Sequence, residues 1–172
     1  MASKKTSMFT LTERLTMTSA SETFATIDLG SYVDVGDRQA LQVHSVDFIF
    51  QGATATSGVT ASLGVTGFIQ VQVTDLNRGG IVFADDRALV SSAILNYDTD
   101  GFLSESADLY PDNYGKGSDD GRFVVNDQLY ITGKMSTFAQ DANVTVRVNC
   151  SIVSLTAKDF MAIAIQSTAA DN

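Results

Sequence analysis

At 172 residues the chain is long enough to bury roughly two thirds of its unfolded surface, so folding requires neither a disulfide nor a metal. Eleven Lys and Arg against 20 Asp and Glu leave a formal charge of −9, which excludes a chain-wide basic surface that binds nucleic acid by neutralising phosphates. One His, one Cys, one Pro and no Trp accompany plentiful Gly, Ser, Thr and β-branched residues, a mix suited to short strands joined by polar turns and too poor in soft ligands for a zinc centre.

Residues 1–7 are small, polar and basic and read as an arm, with Lys4 and Lys5 its charged groups. They lead into no apolar run of the kind that makes a signal peptide. Residues 8–18 and 23–29 alternate loosely between apolar and polar side chains and predict two strands. Glycines and aspartates at 30–37 mark a loop. Residues 40–50 predict a strong strand whose alternation changes phase. Leu41 and Val43 fall on one face, then Val46, Phe48 and Phe50 on the other, which points to a β-bulge or to burial on both faces. Gln51 to Gly67 carries no charge and, apart from Leu63, no large side chain, and so reads either as a loop lying on another surface or as a flexible one. Gly, Ser and Thr interrupt the uncharged stretch 48–74 too often for a membrane helix.

Residues 67–75 alternate cleanly as a strand, and 80–84 predict a short return strand. Asp85-Asp86 can cap a helix, and Ala88, Leu89, Ala93 and Ile94 recur at helical spacing, so a short helix is expected near 86–96. Residues 98–122 form a long acidic insertion, with seven carboxylates against Lys116 and Arg122, a local charge of −5. Residues 123–134 predict a bent strand or strand pair. Val144 to Leu155 then alternates over nearly its whole length. Val144, Val146, Val148, Cys150 and Ile152 face one way and Thr145, Arg147, Asn149 and Ser151 the other, as in a central strand with one dry face. Thr156-Ala157-Lys158-Asp159 resembles a helix capping box with Asp in the acidic position, whereas 160–167 alternates with both faces apolar; the strand is the favoured reading. Residues 168–172 are a tail. The eight predicted strands compose an all-β, antiparallel, jelly-roll-like sandwich over 8–167.

The chemistry-bearing residues are few. His44 lies mid-strand and reads as a surface or interface residue rather than a triad base. Cys150 reads as a small core hydrophobe. Asn143-Val144-Thr145 and Asn149-Cys150-Ser151 match the glycosylation triplet but fall within the predicted central strand. Asp98-Thr99-Asp100-Gly101 begins like a calcium loop, yet Phe102 occupies the position where an acid or amide is needed. Calcium held between subunits by Asp98, Asp100, Asp119 and Asp120 stays open, and no other cofactor is expected. A glycosidase carboxylate pair would lack the stacking tryptophans its substrate needs. No enzyme is expected.

Strand count and order across residues 8–167 resemble the single jelly-roll coat proteins of icosahedral viruses. That resemblance implies a structural subunit of a virus or phage particle, made in the host cytoplasm and located in the virion. Its partners would be copies of itself and other virion subunits. Lys4 and Lys5 in the arm and Tyr110 and Tyr114 in the acidic insertion are the expected assembly contacts. The acidic net charge departs from coats that package a genome through basic arms, and favours a shell over an internal membrane or an outer layer. Two alternatives remain: a capsid decoration, tail or fibre protein, and a carbohydrate-binding sandwich using Tyr97, Tyr110 and Tyr114 as a platform.

Overall fold

A computed structural model describes residues 3–34, 36–61, 66–108, 121–137 and 140–168. Among these lie ten strands: β1 (Ser3–Lys4), β2 (Phe9–Met17), β3 (Glu22–Asp28), β4 (Gln39–Gln51), β5 (Gly67–Thr74), β6 (Leu89–Tyr97), β7 (Leu103–Ala107), β8 (Arg122–Val124), β9 (Gln128–Met135) and β10 (Ala142–Ser154). A 3-10 turn at Val59–Ala61 and a terminal helix α1 (Ala157–Thr168) complete them.

Every strand pair is antiparallel. One sheet runs β2-β10-β4-β8, with β1 pairing the far end of β10; the other runs β3-β9-β5-β6-β7. With the two-residue β1 and the edge strand β7 set aside, the remaining eight strands, counted along the chain, fall in the orders 1-8-3-6 and 2-7-4-5. That order is the jelly roll, two interlocked Greek keys closed into a two-layer sandwich.

Side-chain alternation builds the core. On β10, Val144, Val146, Val148 and Cys150 are buried and meet Leu11, Leu15, Val46 and Phe48 of the same sheet. Ile69, Val71, Val73, Leu129 and Ile131 close the layer from the opposite sheet. The change of phase in β4 is a bulge: Val43 pairs with Cys150 and Ser45 with Asn149, which leaves His44 as the extra residue. A second, smaller cluster lies on the outer face of the first sheet, where Ala40, Val125, Val153 and Leu155 are covered by Phe160, Ile163 and Ala164 of α1.

Three sequence expectations are corrected. The helix near 86–96 is strand β6, which pairs residue by residue with β5 from Tyr97↔Gly67 to Ser91↔Val73. Ala93 satisfies both periods. The pairing, which turns Ala93 and Leu95 inward and occupies the open edge of β5, selects the strand. The strand expected at 160–167 is helix α1. Its N-cap forms, with Thr156 Oγ1 accepting the Asp159 N–H at 3.2 Å and donating its own proton to Asp159 Oδ2 at 2.8 Å. The strand expected at 80–84 is a loop. Gln72 claims its backbone, donating from Nε2 to the Val82 carbonyl and accepting from the Val82 N–H, each at 2.8 Å. A side-chain amide thereby takes the place of a neighbouring strand.

Candidate assembly surfaces

The acidic insertion, expected as a loop over 98–122, contributes β7 to the five-stranded sheet and is fixed to the sandwich at its described ends. At its start, the Asp98 carboxylate accepts the Asp100 N–H at 3.1 Å, and the Asp98 N–H donates to the Phe102 carbonyl at 2.9 Å. Asp98 thus shapes its own turn. Gly121 ends the insertion at φ +104°, so close to β4 that a Cβ there would overlap the Val43 carbonyl oxygen and lie 3.1 Å from its carbon. The next residue, Arg122, donates from Nη2 to the Arg87 carbonyl and reaches the fully buried Asp75, at 3.3 Å from Oδ2. The Asn126 amide donates to the Asp75 carbonyl at 2.6 Å. Asp75 therefore ties the end of β5 to β8 through its carboxylate and to the turn that follows β8 through its main-chain carbonyl.

Ser3–Lys4 pairs with Val153 and Ser154 within the chain, and the Lys5 N–H donates to the Ile152 carbonyl at 2.9 Å, so this part of the arm lies along β10. Tyr110, Tyr114, Asp119 and Asp120 lie outside the described residues. Asp98 and Asp100 share a turn, and no cluster of three or more acidic, His or Cys side chains suited to a metal occurs among the described residues. His44 is half-buried, its Nε2 2.9 Å from Ser151 Oγ. Burial pushes the Cys150 thiol up to about 12, and a backbone hydrogen bond at Leu11 offsets only part of that. Both triplet asparagines are engaged in the sheet: Asn143 donates to the Gly52 carbonyl at 2.9 Å and Asn149 to Ser45 Oγ at 2.8 Å.

Several large apolar side chains meet solvent instead. Phe83 is 88% exposed at the tip of the loop that Gln72 clamps, and Phe24 is 55% exposed on the outer side of β3. Phe102, 74% exposed, and Leu103 cap the β6–β7 turn beside Phe68 and Tyr97, where they border a groove of about 630 Å³. On α1, Phe160, Ile163 and Ala164 face the sandwich while Met161 and Ile165 remain 58% and 61% exposed. The sequence reading missed these positions. Phe83 lay in a presumed strand, and Met161 and Ile165 in a strand presumed covered on both sides. The Thr156–Asp159 capping box was the signal that could have exposed the helical face.

No family model matches the sequence, and no curated protein matches it. Among solved structures, two of the Merkel cell polyomavirus capsid protein VP1 align with 90% of this chain at a TM-score of 0.43 and 9% identity. One is VP1 in complex with GD1a oligosaccharide, of which 97% is covered; the other is the unassembled pentamer, of which 98% is covered. The jelly-roll assignment itself stands on the strand order 1-8-3-6 and 2-7-4-5.

Proposed function

We propose that the chain is a structural subunit of a virus particle, a jelly-roll capsid protein that assembles with copies of itself. The observation that carries this reading is the set of apolar side chains that ordered elements hold in solvent: Phe83 on a clamped loop, Phe102 on a turn, and Met161 and Ile165 on a docked helix. These four side chains lie outside the two apolar clusters of the chain. Exposed apolar groups on separate faces suit a subunit with several neighbours. The arm with Lys4 and Lys5 and the insertion with Tyr110 and Tyr114 are assigned to the same contacts. If the assembly holds calcium, Asp98, Asp100, Asp119 and Asp120 are its ligands. The net charge of −9 favours a shell or outer layer over a coat that grips the genome directly.

Mass measurement and electron microscopy of the purified protein test this. The coat reading expects shells, sheets or capsomers from the chain alone. A decoration protein would stay a small soluble oligomer and bind only a preformed lattice. A monomer at every concentration, with no affinity for any lattice, would overturn both.

A further inference from the structure

The outer face of the five-stranded sheet carries a projection and a recess. Phe24, Thr132 and Gln72 form one cross-strand row on β3, β9 and β5. Their side chains point outward, since the alternate residues Ile27, Ile131, Val71 and Val73 fill the core. The loop from 75 to 88 stands on this row through the paired Gln72–Val82 hydrogen bonds. Two further contacts brace it: Arg78 Nη2 lies 2.9 Å from Asp86 Oδ1, and Asn77 Oδ1 accepts the Gly79 N–H at 3.0 Å. The loop is thereby set before any partner arrives, and it presents Phe83 almost fully to solvent. Beside it, Phe24, Thr26, Tyr130, Thr132 and Asn77 line a groove of about 230 Å³. A cavity of about 150 Å³ takes one benzene ring, so the groove has room for a phenyl side chain.

We propose that this face pairs with a second copy of the chain, Phe83 of each copy seating in the groove beside Phe24 of the other. Projection and recess lie on one face. A two-fold axis along that face, midway between them, therefore forms both contacts at once. Charge supports a copy as the occupant. Apart from the buried Asp75, which pairs with Arg122, the loop and the adjoining row carry Arg78, Arg87 and Lys134 against Glu22, Asp85 and Asp86; Asp28 further along β3 adds one negative charge, and Lys134 Nζ sits 3.0 Å from Glu22 Oε1. In a chain of net charge −9 this face carries little net charge, so two copies meet here with little like-charge repulsion. The loop's bracing removes the ordering cost that a free loop would incur on binding. This inference rests on the self-assembly reading and names one of its contacts.

Sedimentation velocity over a concentration series tests it. Phe83→Ala removes a side chain that supports nothing within the chain, and Thr26→Arg fills the groove from an exposed position. Each is expected to weaken self-association roughly thirtyfold or more, the effect of losing a central interface anchor. An equimolar mixture of the two variants should recover part of the association, because one intact projection then meets one intact groove. The chain has no Trp, so Phe83→Trp places a single indole at the contact, and its emission should shift to the blue as concentration rises. Self-association of Phe83→Ala at the wild-type level, or a mixture no better than either variant alone, would overturn the contact. Particles that still form from Phe83→Ala would leave the capsid reading standing without it. A wild-type chain monomeric throughout would remove both.

Discussion

Gly121→Ala tests how the acidic insertion is joined to the sandwich. Two costs add at this position. The first is the backbone: φ +104° lies where L-residues rarely go, at about 1–3 kcal/mol. The second is the close approach. The Cβ would overlap the Val43 carbonyl, and the obstacle is backbone rather than the end of a flexible side chain. Relief requires β8 to move away from β4, where the pairing covers only Val43↔Arg122, Gln42↔Phe123 and Leu41↔Val124. It also draws Arg122 from Asp75, whose side chain is fully buried. A buried charge that loses its partner costs about 3–5 kcal/mol when the loss is complete. A total near 4 kcal/mol is expected, which at a urea m-value of about 2 kcal/mol/M lowers the unfolding midpoint by about 2 M. Gly101→Ala is the control. Its φ is +88°, yet nothing lies within 4 Å of the added Cβ, so only the dihedral cost applies. Urea titrations of both variants, followed by far-ultraviolet circular dichroism, separate the two costs. Equal midpoints would refute the claim that contact with β4 fixes the end of the insertion.

The remaining predictions concern α1 and the core thiol. Thr156→Ala should remove the cap of α1 and cost about 1 kcal/mol of helix docking, read as faster amide exchange over residues 157–165 with the sheets unchanged. The same cap depends on pH. The Thr156 hydroxyl holds the Asp159 carboxyl below its usual range, so the contribution is present above the unfolded value and is lost as pH falls through the folded one; helix exchange should rise in acid before the sheets respond. Cys150 should resist thiol reagents at pH 8 in the native protein and react once denatured. Because its folded value is raised to about 12 against about 8.5 in the unfolded chain, its contribution is complete below the unfolded value. Between the two values stability should fall by about 1.4 kcal/mol per pH unit. Cys150→Ala should lack that component, and identical alkaline profiles for the two proteins would count against it.

The sequence made β10 readable because one face is apolar at every second residue while the other carries Thr, Arg, Asn and Ser. The β4 bulge was readable for the same reason, since a slip in the alternation has to leave an extra residue, and that residue is His44. Periodicity failed where both faces are apolar. Ala88, Leu89, Ala93 and Ile94 fit a helix as well as a strand, and only the unoccupied edge of β5 decides between them. In α1 the ambiguity ran the other way, and a four-residue cap outweighed the alternation that follows it. The loop bearing Phe83 was beyond any local pattern, because the residue that shapes it, Gln72, is a strand residue ten positions from Val82.

The exposed apolar groups are distributed unevenly between the frame and its additions. The eight jelly-roll strands bury most of their own apolar residues, and Phe24 on the edge strand β3 is the large hydrophobic they leave more than half exposed. Phe83, Phe102, Met161 and Ile165 all belong to additions outside that frame: the loop between β5 and β6, the turn into β7, and α1. A mutation at an inward-facing position of the frame should therefore act on folding, through a cavity in the core. Truncating one of these exposed side chains leaves both apolar clusters of the chain in place, and should act on association. Phe83→Ala should therefore weaken association and leave the urea midpoint of the chain unchanged, in contrast to Gly121→Ala.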